Sequence, residues 1–285
     1  MTSPSIWKTT RFDLDLTERP LVMGIVNVTP DSFSDGGQHN DAPRAIDFCE
    51  RLLGEGVDIL DLGGESTRPG APRLDAEEEW RRLEPVVRAA LNFGVPVSVD
   101  TCKTEVMRRA LDLGVDIIND VQALRDEGAD ALLAAHGSAG ICLMHMRGQP
   151  AGMQQLTDYG DVVTEVADFL EDRLRHMVDL GVSPERITLD PGYGFAKTVE
   201  QNLELQRRQP ELLALGRPLL IGWSRKSTLG AVTGKAVDER MPASVGAALA
   251  SVALGARVVR VHDVGATVDA LKIWQAFGAP QARNG

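Results

Sequence analysis

The sequence predicts a (β/α)8, or TIM, barrel, and three observations carry that prediction. Eight short apolar runs are distributed along the 285 residues, longer amphipathic stretches with helix signals separate them, and a glycine repeatedly marks the passage from helix to strand. The runs are close to continuously apolar instead of alternating, which suits parallel strands covered on both faces.

In chain order, the first run is LVMGIVNV from Leu21 and the second DILDL from Asp58, with a helix over residues 42–53 between them and Asp41 as a candidate N-cap. Residues 75–91 form the next helix, rich in Glu early and Arg late, as the helix dipole favours. VPVSV from Val95 follows, then a helix over 103–113, DIIN from Asp116 and ICLMHM from Ile141. The later pairs are a helix over 159–180 with ITL from Ile187, and a helix over 199–215 with PLLIG from Pro218. A helix over 242–254 then precedes RVVRV from Arg257. The phrases EGVDIL, LGVDII and LGARVV repeat one junction, in which Gly supplies the left-handed end of a helix just before a strand. A doubly wound open sheet is the alternative, but the first strand–helix turn, NVTPDSFSDGG, lacks the G-x-G-x-x-G spacing. Residues 1–285 read as a single barrel domain. Residues 1–20 form an N-terminal extension in which FDLDL suggests a short hairpin or plug at the barrel bottom.

Composition narrows the function. A 43% hydrophobic content supports a large core, and the 5% aromatic content makes Leu, Val, Ile and Ala its main constituents. A formal charge of −11 argues against nucleic acid or an anionic membrane surface as partner, yet allows a small anion held by a few local Arg and Lys. Cys49, Cys102 and Cys142 fit no zinc spacing and read as structural thiols in a reducing compartment. The N-terminal MTSPSIWKTTRFDLDL carries no apolar signal core, and no apolar run reaches membrane-span length, so a cytoplasmic location is expected.

Function should lie where strands run into the following loops. Every run ends on polar residues: Asn27 and Thr29; Asp61, Glu65, Thr67 and Arg68; Asp100 and Thr101; Asn119 and Asp120; His145 and Arg147; Asp190; Ser224, Arg225, Lys226 and Ser227; Arg260, His262 and Asp263. Taken singly, an Asp after a strand is commonly a helix cap, and Asp61, Thr101 and Asp263 are most simply read as capping or scaffolding residues. Together the polar ends face one cleft, where that many buried polar groups require a ligand or water. Lys226, Arg68, Arg260 and His262 suit an anion, while Asp100, Asn119 and Asp190 suit the hydrogen-bonding edge of a flat heterocycle.

At these residues the chain resembles bacterial dihydropteroate synthase. The resemblance rests on MGIVNVTPDSFSDGG from Met23, DLGGESTRPGA from Asp61, SVDT from Ser98, INDV from Ile118, LMHMRG from Leu143, LDPGYGFAKT from Leu189, GWSRKS from Gly222 and RVHDV from Arg260. It implies a transferase of folate biosynthesis that joins 6-hydroxymethyl-7,8-dihydropterin diphosphate to 4-aminobenzoate, releasing diphosphate. Carried over by position, the pterin site comprises Asp100, Asn119, Met144, Asp190 and Lys226. Thr67, Arg68, Arg260 and His262 surround the diphosphate, and Asn27 is a ligand of Mg²⁺. Thr29, Phe33, Pro69, Phe195 and Ser227 form the aminobenzoate pocket, which sulfonamide inhibitors share. Asp100, Lys226, Arg260 and His262 are the catalytic candidates.

The implied reaction is S_N1-like and needs no protein nucleophile, because dihydropterin delocalises positive charge as diphosphate departs. Residues 27–37 and 63–72 are rich in Gly, Pro, Ser and Thr and read as lids. Trp223 and Arg147 depart from the family pattern, and Trp223 is expected to alter contacts at the rim. A pterin-binding methyltransferase domain or a catalytically silent paralogue are the alternatives. TPDSFSDGG and SRKS weigh against the first, and the retained Asn27, Arg260 and His262 against the second. The resemblance also implies a homodimer through late helices, for which the small residues of 243–256 allow close packing.

Overall fold

A computed structural model describes residues 6–29, 41–65, 73–149 and 152–278. Strands β1 (Ile6–Lys8) and β2 (Asp13–Asp15) form an antiparallel hairpin. Eight parallel strands follow: β3 (Leu21–Asn27), β4 (Ile59–Gly63), β5 (Val97–Asp100), β6 (Ile117–Asp120), β7 (Gly140–Met144), β8 (Ile187–Asp190), β9 (Leu220–Ile221) and β10 (Val258–Val261). Their order is β8-β7-β6-β5-β4-β3-β10-β9, and a parallel bridge between Leu189 and Leu219 closes the ring. The barrel expected from the apolar runs is the fold of the chain.

Helices α1 (Asp41–Gly54), α2 (Ala76–Ala90), α3 (Thr104–Asp112), α4 (Ala129–His136), α5 (Val162–Asp179), α6 (Val199–Arg207), α7 (Gln209–Leu212), α8 (Ser227–Thr233), α9 (Met241–Ala253) and α10 (Val264–Ala276) surround it. Asp75 caps α2 by accepting from Glu78 N at 2.8 Å. The single helix expected over 199–215 is instead broken into α6, α7 and a 3-10 turn, because Pro210 has no N–H to continue the ladder. Asp41, expected as a cap outside α1, is its first residue.

Strand parity divides the core in two. Val22, Leu60, Val97, Val99, Ile118, Leu143, Leu189, Ile221 and Val259 pack outward against the helices. Leu21, Met23, Ile59, Ile117, Cys142, Leu220 and Val258 point inward and meet Trp7 and Leu16 of the hairpin segment. The hairpin is thus the expected plug at the bottom. Trp7 donates from Nε1 to Arg186 O at 2.9 Å, and Arg11 grips Asp116 through Nη2 at 2.6 Å while also donating to Leu91 O at 2.7 Å. An apolar lower lumen leaves the upper lumen free to be polar. This explains why the runs lack visible alternation: both faces are apolar until each strand nears its C-terminal end.

Candidate active site

Every strand residue proposed for the site has inward parity. Asn27 pairs with Gly63, Gly63 with Asp100, and Asp100 with Asn119, giving one row across four adjacent strands. Met144 pairs with Asp190 on the opposite wall. Gly63 adds no side chain to the row, and a Cβ there would make ordinary contact, 3.9 Å from both Asn27 Oδ1 and Asp100 Oδ2.

One layer down, Arg260 binds two carboxylates. Its Nε donates to Asp61 Oδ2 at 2.6 Å and its Nη2 to Asp100 Oδ2 at 2.5 Å. Asn119 Nδ2 approaches the same Asp61 oxygens at 3.3 and 3.4 Å. Burial lifts the Asp100 carboxyl above its ordinary range, Arg260 opposes that shift, and the nearby charge of Asp61 adds to it. Asp61 is fully buried and links Arg260 to Asn119, so it organises the site without having been singled out as functional in the sequence. Its parity with Ile59, an inward core residue, was the available signal.

Across the lumen Asp190 accepts from Gly192 N at 2.7 Å. Burial raises its carboxyl, against that hydrogen bond and the charge of Lys226. The Lys226 ammonium lies 4.0 Å from the centroid of the Phe195 ring, and burial and Arg260 push its pKa down while Asp190 and Asp100 hold it up. Met144 and Phe195 join Val121, Met146 and Met153 in an apolar wall beside these charges. The site therefore offers a polar edge on one side and an apolar face on the other, the two features of a flat heterocycle.

His262 sits beyond β10. Its backbone N–H donates to Ser224 Oγ at 3.1 Å, and its Nδ1 is 2.9 Å from the same hydroxyl. Burial and the neighbouring Arg260 and Arg225 push the imidazole down to about 3, so it is neutral in the ligand-free site. Arg260 and Arg225 supply the positive charge beside it. Ser227 is exposed and opens α8, after Lys226 in extended conformation. Arg225, held at φ 59°, pairs with Asp263 at 2.6 Å and fixes this turn. Thr29 lies at the end of the first described loop segment, while Phe33, Thr67, Arg68 and Pro69 lie outside the described residues.

Several polar rim residues serve the scaffold. Asp120 accepts from Gln122 N and Leu124 N at 2.7 and 2.6 Å, and Lys103 pairs with Glu79 at 2.5 Å and with Glu65. Trp223 does not reach the rim as expected. It has outward parity, stacks on Tyr193 at 4.2 Å and donates to Gln206 Oε1 at 2.6 Å. Arg147 covers the Tyr159 ring at 3.6 Å and pairs with Glu165. The three cysteines are free thiols, and burial raises Cys102 to about 12, which makes it a poor nucleophile.

The chemistry of the donors limits the metal question. Among the described residues no group of three His, Cys, Asp or Glu is placed to hold an ion. Asn27 offers one amide oxygen at the lumen mouth, which fits an Mg²⁺ ion that takes its remaining ligands from substrate phosphate and water.

A buried polar edge, an apolar wall and basic groups at the mouth of a parallel barrel define a pterin-binding enzyme, and residues 23–262 match the family described as pterin binding enzyme. A dihydropteroate synthase of Neisseria meningitidis serogroup B is 55% identical over 279 residues, covering 96% of this chain and 98% of its own. A solved Xanthomonas albilineans dihydropteroate synthase with 4-aminobenzoic acid superposes with a TM-score of 0.91 at 46% identity, covering 98% of this chain and 100% of that one. A Burkholderia cenocepacia dihydropteroate synthase complexed with 7,8-dihydropteroate gives 0.88 at 47% identity, covering 98% of each. The chain belongs to the dihydropteroate synthase family of pterin-binding enzymes.

Proposed function

We propose that this chain condenses 6-hydroxymethyl-7,8-dihydropterin diphosphate with 4-aminobenzoate to give 7,8-dihydropteroate and diphosphate, and that the upper lumen is where it does so. The observation that carries this reading is the inward row of Asn27, Asp100 and Asn119, facing Asp190 and Lys226 above an apolar floor. Related enzymes solved with 4-aminobenzoic acid and with 7,8-dihydropteroate support the choice of substrates.

In this reading Asp190 and Asn119 hold the hydrogen-bonding edge of the pterin, Lys226 donates to it, and Met144 packs on its face. Asp100 stabilises the positive charge that spreads over the ring as the C–O bond to diphosphate breaks. Arg260 fixes Asp100 from one side and turns its remaining guanidinium surface toward the diphosphate, with neutral His262 as a hydrogen-bond partner. Thr67 and Arg68 add to that anion site. The aniline nitrogen then forms the new C–N bond and gives up one proton to the departing diphosphate or water, and no protein atom bonds to the pterin. Ser227 holds the aminobenzoate carboxylate, with Phe195 under its ring and Thr29, Phe33 and Pro69 around it, and sulfonamides occupy the same pocket. When bound, Mg²⁺ supplies charge neutralisation of the diphosphate, with Asn27 as its protein ligand.

The proposed location is the cytoplasm; no helix among the described residues is long and apolar enough to cross a membrane. A homodimer through the late helices accounts for exposed Met241, Ile273 and Phe277 on or beside α9 and α10. Sedimentation giving a monomer mass would exclude it. The test of the activity is product formation. Dihydropteroate and diphosphate are expected only with pterin diphosphate, 4-aminobenzoate and Mg²⁺ together, and absence of dihydropteroate under those conditions refutes the assignment.

A further inference from the structure

Lys197 has no place in the chemistry above, yet it is 4% exposed and its ammonium uses all three donors. Nζ donates to Gly192 O at 2.9 Å and to Phe195 O at 3.1 Å, and lies 3.0 Å from His145 Nδ1. Burial pushes Lys197 down to about 7 while Asp190 holds it up; in the charged form Nζ has a third donor for His145 Nδ1, and the imidazole proton then sits on Nε2. Burial and the lysine charge push His145 down to about 2, which keeps it an acceptor.

The carbonyls belong to an unusual turn. Gly192, Gly194 and Ala196 all have positive φ, at 69°, 80° and 50°. Only glycine fits position 192, where a Cβ would lie 2.0 Å from His145 O. The turn's upper side carries Phe195 beneath Lys226, and Gly192 N donates to Asp190. Its lower side rests on Lys197 and on Asn202 Oδ1, which accepts from Gly194 N at 2.7 Å. The two glycines take this conformation freely, whereas left-handed Ala196 is strained and needs surroundings that hold it.

We propose that Lys197 is a positioning residue of the substrate site: its ammonium, anchored on His145, clamps the carbonyls of Gly192 and Phe195 and so sets the Asp190 carboxylate and the Phe195 ring together. The proposal rests on the assignment of Asp190 to the pterin and Phe195 to aminobenzoate. The charged and titratable groups facing the ammonium are Asp190, His145, Lys226 and Arg147. Its charge acts to lower the Asp190 carboxyl, against the burial that raises it.

The test is steady-state kinetics on the full-length enzyme with Lys197→Met, His145→Phe and Phe195→Ala. Lys197→Met leaves two buried carbonyls without their charged donor, so KM for both substrates should rise about tenfold while kcat falls less than about threefold. The acid limb of kcat/KM for pterin diphosphate should move to higher pH, since Asp190 loses a favourable charge. His145→Phe keeps the ring packing on Phe169, 5.0 Å away, and should raise the same KM values about threefold. Should Lys197→Met fail to fold, His145→Phe decides: unchanged KM values overturn the proposal. They also do so in Lys197→Met if only kcat drops, as a general packing defect would give. Phe195→Ala separates the two levels. If it raises aminobenzoate KM while the other variants do not, the site assignment stands and the clamp is wrong. If it has no effect on that KM, the platform and the clamp both fall.

Discussion

Asp61→Asn tests how the two carboxylates around Arg260 work together. Asp61 is fully buried and receives Arg260 Nε at 2.6 Å and Asn119 Nδ2 at 3.3 Å, while Asp100 receives Arg260 Nη2 at 2.5 Å. The amide keeps the shape and removes one negative charge. A hydrogen bond to a charged group contributes about 1.5–3 kcal/mol, so kcat/KM for pterin diphosphate should fall about 10- to 100-fold. Removing one member of a buried pair costs about 3–5 kcal/mol, and the lower end applies because Arg260 retains Asp100. The pH dependence supplies the sharper signature. Asp61 is one of the groups that raise the Asp100 carboxyl, and Arg260 lowers it. With Asp61 neutral both effects act in one direction, so Asp100 ionises more readily and the acid limb of kcat/KM moves to lower pH even as the rate falls. The assay is kcat/KM for pterin diphosphate from pH 5 to 9, with urea unfolding alongside. A variant with kcat/KM within about threefold of wild type, or with its acid limb moved to higher pH, would refute the coupling.

Further outcomes follow from the same structure. Trp7→Ala should lower unfolding free energy by about 3–5 kcal/mol with kcat/KM nearly unchanged, because the plug is remote from the polar layer; a large kinetic loss in folded protein would contradict that separation. Gly192→Ala should abolish aminobenzoate turnover, since its Cβ meets His145 O, whereas Gly216→Ala, with similar φ but nothing within 4 Å, should cost only about 1 kcal/mol of stability; equal effects would show that space is not what matters. Burial and Arg260 push His262 down to about 3 from an ordinary 6.5, so between those values the unfolded chain binds the extra proton and stability is lost as pH falls. The difference in unfolding free energy between wild type and His262→Gln should therefore shrink by up to about 1.4 kcal/mol per pH unit below 6.5, and a constant difference would show that His262 titrates normally. Chelating Mg²⁺ should suppress turnover while leaving the melting temperature of the free enzyme unchanged, as expected if the ion is shared with substrate; a destabilised apoenzyme would point to a resident structural ion.

The barrel was readable because each strand is apolar on both faces over its first residues and each helix closes at a glycine. The polar ends were also readable, but not their direction. Asp61 reads as a cap when taken alone; its parity with Ile59 hints at the lumen, and the fold adds the contact with Arg260. Asp120 and Asp100 look alike in sequence, yet the first faces outward to hold a turn and the second faces the site. Trp223 was misplaced for the same reason: a one-residue change of parity turns a side chain from rim to helix layer. Lys197 gave no signal, because its role depends on carbonyls brought close by three left-handed residues. The break at Pro210 was legible in principle, since proline cannot continue a helix begun before it.

The central claim is that the polar layer promotes departure of diphosphate and capture of the amine without a bond to the protein. Rapid chemical quench of a single turnover, read by intact mass of the enzyme together with product analysis, tests it most directly. The expected result is dihydropteroate appearing as pterin diphosphate disappears, with the enzyme mass unchanged at every time point. An enzyme species heavier by the whole dihydropterinylmethyl group, formed and consumed at the rate of turnover, would contradict it.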